Sequence, residues 1–491
     1  MITPDFASFK KLAKQGNLVA VQISVPADLE TPVSSFLKLA SAETNAFLLE
    51  SAEHAEQVGR YSIIGFKPAA VLSSYHDRIV IQKGNRKARL RTSDHLIEVL
   101  ESSVQGTKLA NPEDLPGFCG GYVGYFGYEN VEHFEKVKLQ CKKGPKIPDA
   151  VFFLTRSFLV FDHFRKTLNF VELVPIEANK SLTALYQGAL KKIRVHVRCL
   201  RKPLRPKMKM RRPTPIDIRS NMKKKDFEQK VARIREYIRA GDCIQVVLSQ
   251  RFRMNLPMDD FHIYRALRSI NPSPYMFYFR AGTLRMIGSS PELLVRNSTR
   301  VAEVRPIAGT RPRGENQAMD QKYEENLRRS PKETAEHLML VDLGRNDLGR
   351  VCEFNTVKVK NYARVERYSH VMHLVSDVVG KLRKGKNCFD LLKATFPAGT
   401  VTGAPKIRAM QIIDELEHEK RGAYAGCVGY FDFNRNMEMC ITIRTIVVDR
   451  RQMYLQAGAG IVKDSQPARE YQETVNKAKA LIQAVERQRD F

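Results

Sequence analysis

An α+β fold built on large, mainly antiparallel sheets is what this sequence predicts, and three observations carry that expectation. Short β-rich runs recur along the chain, set apart by Gly, Pro or charged breaks. Amphipathic helices stand between groups of these runs without the regular strand–helix–strand alternation of a parallel sheet. No period of about 20–50 residues marks a solenoid or propeller. With 491 residues, 43% of them hydrophobic, the chain can bury a sizeable core as two lobes or one large sandwich.

Residues 1–110 read as a helix followed by strands at AFLLES (46–51), YSIIGF (61–66), AAVLSS (69–74) and RIVIQK (78–83), with a helix at HLIEVLESSV (95–104). The cluster GFCGGYVGYFGYE (117–129) lacks the Lys-Ser/Thr of a phosphate loop, so close-packed strands with a tight turn are expected. VFFLTRSFLVFDH (151–163) and LNFVELV (168–174) read as a hairpin.

KKIRVHVRCLRKPLRPKMKMRR (191–212) holds eleven Lys or Arg and no acid, and prolines at 203, 206, 213 and 215 argue for an extended linker. The organisation expected is an N-terminal region over 1–200, a basic Pro-rich linker over 201–220, and a second region over 221–491. In the last, Lys223 to Ala240 forms a helix closed by Gly241, and CIQVVLSQRFRM (243–254) is a strand. Alternation sends Ile244, Val246 and Leu248 one way and Gln245, Val247 and Ser249 the other.

The net charge of +28 raises nucleic-acid binding as a rival function. The basic stretch lacks the interleaved aromatics that stack on bases, so specific nucleic-acid binding is not expected. No apolar run is long enough to span a membrane, and the eight scattered cysteines make no metal-ligand spacing. A cytoplasmic enzyme with reduced thiols is the simplest expectation.

The stretch 305–350 carries the chemistry. A strand-like run enters a turn at Pro306, Gly309, Thr310, Pro312 and Gly314. A helix follows, with Ser330 as N-cap, Pro331 in the first turn and Glu333 completing a capping box. Ala335, Leu338, Met339 and Val341 would be its apolar face. Glu333 and Glu336 stack three residues apart. A second pair, Glu470 and Glu473, lies on a helix starting near Pro467, after a glycine turn at Gly458-Ala459-Gly460. One such pair taken alone is better read as a wet helix face. Four carboxylates on two helices suit a hard, oxygen-preferring cation such as Mg²⁺.

PIAGTRPRG (306–314), KETAEHLMLVDLGRND (332–347), FPAGTVTGAPK (396–406), AYAGCVGYF (423–431) and AGAGIVKDSQPAREYQET (457–474) stand in one order. With these segments the chain resembles the chorismate-utilising enzymes, densely from Met222 onward. The N-terminal half matches more sparsely, in LLESAE (48–53), GRYSIIG (59–65) and GFCGGYVGYFGYE. Within that family it is most similar to the large subunits of anthranilate synthases. The resemblance implies a two-lobed sandwich of large antiparallel sheets flanked by helices. The implied reaction converts chorismate and ammonia to anthranilate and pyruvate, the first committed step of tryptophan biosynthesis.

The resemblance also distributes roles. Glu336 and Glu473 would ligate Mg²⁺, with Glu333 and Glu470 beside them. Glu292 would be the general acid for the departing hydroxyl, and His373 would aid the elimination. Gln245 stands where water-adding relatives keep a lysine base. Ala308 stands where aminodeoxychorismate synthases, the alternative within the family, often keep a lysine nucleophile. Tyr424 and Arg444 would clamp the pyruvyl carboxylate, approached by Gly458, Ala459 and Gly460, with Gly309, Thr310 and Thr400 on the ring side. Glu50, Ser51, Pro274, Tyr275 and Met276 match the segments that bind tryptophan as feedback inhibitor. No glutaminase domain is present in the sequence, so a glutamine amidotransferase small subunit is the implied partner, in a heterotetramer.

Overall fold

A computed structural model describes residues 2–51, 59–91, 95–141, 143–204, 216–257, 259–368 and 371–490. Two sheets face each other, and each draws strands from both halves of the chain. The first runs in order Ile2–Thr3, Leu18–Pro26, Thr167–Pro175, Ser157–Asp162, Tyr61–Phe66, Asn45–Glu50, Tyr275–Ala281, Leu284–Ser290, Thr445–Asp449, Gln452–Ile461, Gln245–Asn255 and Arg219–Ser220, with Gly403–Ala404 also on the Gln245 strand. The second starts at Ile307–Pro312 and passes through Val371–Lys381, Val301–Val304, Leu293–Ser298, Met437–Ile441, Cys427–Asp432 and Gly121–Phe126 to Ala150–Thr155 and the Ala70–Arg91 meander. Every ladder between named strands is antiparallel among the described residues, as the α+β expectation requires.

A large apolar core fills the space between the sheets, centred on Phe126, Phe152, Phe153, Phe279 and Phe431. Stacked and edge-on ring pairs fix their packing, with Phe153 on Phe279 at 4.5 Å and Phe389 on Phe431 at 4.2 Å between centroids. A second core lies between the outer face of the first sheet and its helices, around Phe36, Phe261 and Tyr278. No helix is long and apolar enough to cross a membrane among the described residues.

Several local expectations change. The run 151–163 is not one strand: it breaks at Arg156, and Ala150–Thr155 and Ser157–Asp162 belong to different sheets. Residues 191–200 are not linker but the second half of the helix Leu182–Leu200. Tyr186, Ala189, Leu190, Ile193 and Leu200 recur at helical spacing and are buried, so the basic residues between them are simply its wet face. Residues 205–215, the rest of that basic stretch, lie outside the described residues. So do positions 52 and 53 of LLESAE. A helix at Gln317–Arg329 precedes the Ser330 cap.

Gly458-Ala459-Gly460 is not a turn either. It lies inside the strand Gln452–Ile461, where Gly458, Ala459 and Gly460 pair with Ser249, Leu248 and Val247. The two glycines serve close approach, not a turn. In the strand Gln245–Asn255, Val246 and Leu248 pack against Phe227, Val231 and Ile413 of two covering helices. Ile244 lies just before that strand and is exposed.

Candidate active site

Gln245 lies on the other face of that strand. Gln245 is buried, and its side-chain oxygen has no hydrogen-bond partner among the described residues. Its amide nitrogen lies 2.5 Å from where a Cβ on Gly460 would stand, and the Tyr424 hydroxyl lies 2.7 Å from the same point on Gly458. Real Cβ atoms do not come that close, so a side chain at either position would have to push Gln245 or Tyr424 aside, and the glycines serve room rather than backbone freedom. Glycine thus lets Gln245 and Tyr424 converge over one stretch of strand.

Glu292 follows Ser290, the end of the strand Leu284–Ser290. The Thr400 hydroxyl donates to its carboxylate at 2.9 Å. Burial pushes the Glu292 carboxyl above its ordinary range, against the opposing pull of that hydrogen bond and of Arg444 and Lys477. Arg444 does not sit in a continuous strand, as the alternation of MCITIRTIVV suggests. It stands at φ 47° between Met437–Ile441 and Thr445–Asp449, where the chain leaves one sheet for the other. A non-glycine residue in the left-handed region is costly and marks a site held by its surroundings.

His373 is buried on the strand Val371–Lys381. Its Nδ1 lies 2.8 Å from the Gly309 carbonyl oxygen and 3.2 Å from the Thr310 hydroxyl. A carbonyl can only accept, so Nδ1 carries the hydrogen and Nε2 keeps its lone pair. Burial lowers the imidazole pKa and holds the ring neutral. Gly309 itself adopts φ 64°, and a side chain there would meet Leu327 and Glu333. One left-handed glycine therefore lies between His373 and Glu333.

The two acidic helices are Pro331–Gly349 and Pro467–Glu486. The Ser330 hydroxyl caps the first, at 3.5 Å from the Glu333 amide. The Glu333 side chain does not close a capping box; it accepts from Arg311 at 3.0 Å. The buried face is His337, Leu340, Val341, Gly344 and Leu348, whereas Leu338 is half exposed. The buried face is thus turned from the expected apolar one, and Glu333 and Glu336 are themselves half-buried. Burial raises the Glu336 pKa, with Glu333 and Glu473 adding to it. Glu470 is raised by burial and by Glu473, while Ser465, Lys332 and Lys477 lower it.

No three His, Cys, Asp or Glu side chains among the described residues already converge as a metal site. The donor set nevertheless fits a hard cation: partly desolvated carboxylates on two helices repel one another, and a divalent ion would offset that repulsion. Lys477 holds part of this balance. Its ammonium lies 2.7 Å from Glu473 and donates to the Gly458 carbonyl at 3.0 Å. Lys477 lies outside the set of residues the sequence motifs point to, although it stands at i, i+4 from Glu473.

A cavity of about 280 Å³ lies away from these groups, between the sheets. Leu49, Ser51, Tyr61, Pro274, Tyr275 and Met276 are among the residues lining it, with Arg296, Tyr430 and Glu438. Glu50 is not. Strand alternation turns its side chain outward, where it accepts from Tyr264 and pairs with Arg268. Four of the five expected effector residues thus share one chamber. The Ser51 hydroxyl there is buried without a partner among the described residues.

Residues 44–483 match the family model of chorismate binding enzymes. The chain is 44% identical to an anthranilate synthase component 1 of Acetivibrio thermocellus, over 99% of both chains. It is 47% identical to one of Aquifex aeolicus, over 97% of this chain and 96% of the relative. Anthranilate synthase component I from Streptococcus pneumoniae superposes with a TM-score of 0.76 at 35% identity, covering 93% of this chain and 98% of that structure. A menaquinone-specific isochorismate synthase from Escherichia coli shares the fold at 20% identity and a TM-score of 0.72, over 98% of this chain and 99% of its own. By its sequence from residue 44 to residue 483 and by its paired sheets, this chain belongs to the chorismate binding enzymes.

Proposed function

We propose that this chain is the synthase component of an anthranilate synthase, forming anthranilate and pyruvate from chorismate and ammonia. The observation that carries the choice among chorismate chemistries is Gln245: a buried amide with a free carbonyl oxygen, at the position where by resemblance the water-adding relatives keep a lysine base. An amide cannot deprotonate water, whereas ammonia is already a nucleophile and needs only an acceptor to orient it. Ala308 leaves no lysine for the covalent route to the para isomer.

Glu292, whose carboxyl burial pushes above its ordinary range, gives its proton to the departing ring hydroxyl, and Thr400 holds the carboxyl in place. Arg444 and the Tyr424 hydroxyl bind the pyruvyl carboxylate beside Gly458 and Gly460. His373 uses its Nε2 lone pair to take the ring proton as pyruvate is lost. Glu336 and Glu473, with Glu333 and Glu470 beside them, would hold Mg²⁺, which supplies Lewis-acid polarisation of the ring carboxylate.

Tryptophan as feedback inhibitor suits the second cavity, whose aromatic walls and buried polar groups match an indole and an α-amino acid. A glutamine amidotransferase subunit would deliver ammonia in a heterotetramer in the cytoplasm. The test is purified chain with chorismate, Mg²⁺ and ammonium. Anthranilate is expected, with glutamine used only after the partner is added; isochorismate or 4-amino-4-deoxychorismate as main product would overturn the reading. A salt-sensitive RNA complex with no chorismate consumption would favour the nucleic-acid alternative.

A further inference from the structure

Beside Tyr424 and the Gln245 strand, Arg421 and Glu417 form an ion pair in which both side chains are almost wholly removed from solvent. The guanidinium grips both carboxylate oxygens, at 2.8 and 2.7 Å. Its remaining donors go to backbone: Nη1 to the Val401 carbonyl at 2.6 Å and Nη2 to the Val247 carbonyl at 2.7 Å. Glu417 in turn accepts from the Ser249 amide at 2.7 Å and the Ser249 hydroxyl at 2.8 Å. The Arg421 plane also lies over two rings, 4.9 Å from Tyr128 and 5.5 Å from Tyr424.

Each of these partners adjoins a group of the proposed chemistry. Val401 follows Thr400, which orients Glu292. Val247 and Ser249 are two and four residues beyond Gln245 on its strand. Tyr424 is three residues beyond Arg421 itself, and the intervening Gly422 amide is held by Glu129 at 3.1 Å. Burying a charge pair rarely adds stability over an apolar pair of equal volume, so a pair kept here asks for another use. A planar fork that ties two carbonyls from different elements to one carboxylate suits positioning.

We propose that the Glu417–Arg421 pair is the positioning element of this active site. It sets the acid arm (Thr400 and Glu292), the Gln245 strand and the Tyr424 ring at fixed separations without touching substrate. The proposal rests on the anthranilate reading for its kinetic test only, and a second readout is independent of activity.

Because a single substitution would strand a buried charge and could unfold the protein, the variant is Glu417→Leu with Arg421→Met, an apolar pair of similar volume. The parent must first form anthranilate from chorismate and ammonium; if it does not, the functional reading fails and only the exchange measurement bears on the clamp. In the double variant, amide hydrogen exchange of peptides covering 399–404 and 421–426 is expected to quicken at least 10-fold. Peptides of the distant Leu18–Pro26 and Thr167–Pro175 strands should be unchanged. Turnover should fall at least 10-fold in kcat, exceeding any rise in the chorismate KM. Unchanged local exchange, or quickened exchange with kcat within 3-fold of the parent, overturns the proposal. So does a loss of turnover with exchange unaltered, since Arg421 would then act on substrate directly. Should the double variant not fold, Arg421→Lys decides by the same readouts, because lysine keeps the charge but cannot hold both carbonyls.

Discussion

The Gln245 side-chain nitrogen lies 2.5 Å from the point that a Cβ on Gly460 would occupy. Gly460→Ala therefore has to displace the amide or part the two strands, and overpacking of this kind costs about 1–3 kcal/mol. The expected result is a stable but slower enzyme, with a lower midpoint in urea and ammonia-dependent turnover reduced by at least an order of magnitude. Turnover equal to the parent's would mean that Gln245 can move aside without consequence, and its role at the nucleophile would be lost.

Glu129 makes stability depend on pH in a direction opposite to that of a paired carboxylate. It is fully desolvated, and its pKa is pushed up to about 7 from an ordinary 4.5, despite the hydrogen bond from Gly422. The folded state holds this proton where the unfolded chain has released it. The residue's contribution is thus fully present below pH 4.5 and declines as pH rises to about 7, by about 3 kcal/mol in all. Glu129→Gln keeps an acceptor for Gly422 and removes the titration. Urea unfolding at pH 4.5 and 7.5 should show a smaller loss in the variant than in the parent; equal losses would refute the assignment.

Glu336 stands inward on its helix under repulsion from Glu333 and Glu473. Glu336→Gln removes that repulsion, so thermal stability without added metal should be unchanged or higher. Mg²⁺-dependent turnover should be abolished, because the amide is a poor ligand for a hard cation. Such a trade of stability against activity is expected at a site built for charge. Full activity at ordinary Mg²⁺ would show these carboxylates to be a wet helix face.

Ser51→Phe tests the second cavity. Its hydroxyl is buried among the residues lining a space of about 280 Å³, so a phenyl ring can fill the chamber without entering the cleft. The chain contains no tryptophan, so bound tryptophan can be followed by its own fluorescence. Binding and inhibition should both be lost while turnover without tryptophan stays within about 2-fold of the parent, a free-energy change below ~0.5 kcal/mol. A mutant as tryptophan-sensitive as the parent would place the effector elsewhere.

YSIIGF was legible in the sequence as a short apolar run buried on both faces, and the Lys224–Arg239 helix by the stripe that burial of one face imposes. The departures have a shared cause. At Gly458 and Gly460 a strand needs glycine for an approach by Tyr424 and Gln245 from elsewhere in the chain, which no local pattern encodes. At Glu333 and Glu336 the carboxylates are half-buried, so the polar face and the exposed face do not coincide. At Arg444 an alternating run conceals a change of sheet. In the helix Leu182–Leu200 the charge density hid an ordinary apolar stripe. The roles of the site residues came from motif resemblance. Their convergence, and the Glu417–Arg421 pair beneath them, came only with the fold.

Position 245 offers the sharpest test of the nucleophile. Gln245→Lys places an amine where relatives that add water keep their base, in a pocket the wild-type side chain leaves almost no solvent to enter. Burial would depress the lysine pKa, and only its neutral form can accept a proton from water. The wild-type carbonyl oxygen, which accepts from no described group, is removed at the same time, so ammonia loses its orienting partner. Anthranilate formation should fall by at least 100-fold, about 2.7 kcal/mol in the barrier, with a trace of isochorismate or salicylate detectable by chromatography. Since Gly460 leaves no slack beside the side chain, Gln245→Met serves as the control for size: it should lose anthranilate and gain no hydroxylated product. If the lysine variant instead makes anthranilate at the parental rate, Gln245 does not face the nucleophile, and the inner face of its strand serves substrate binding alone.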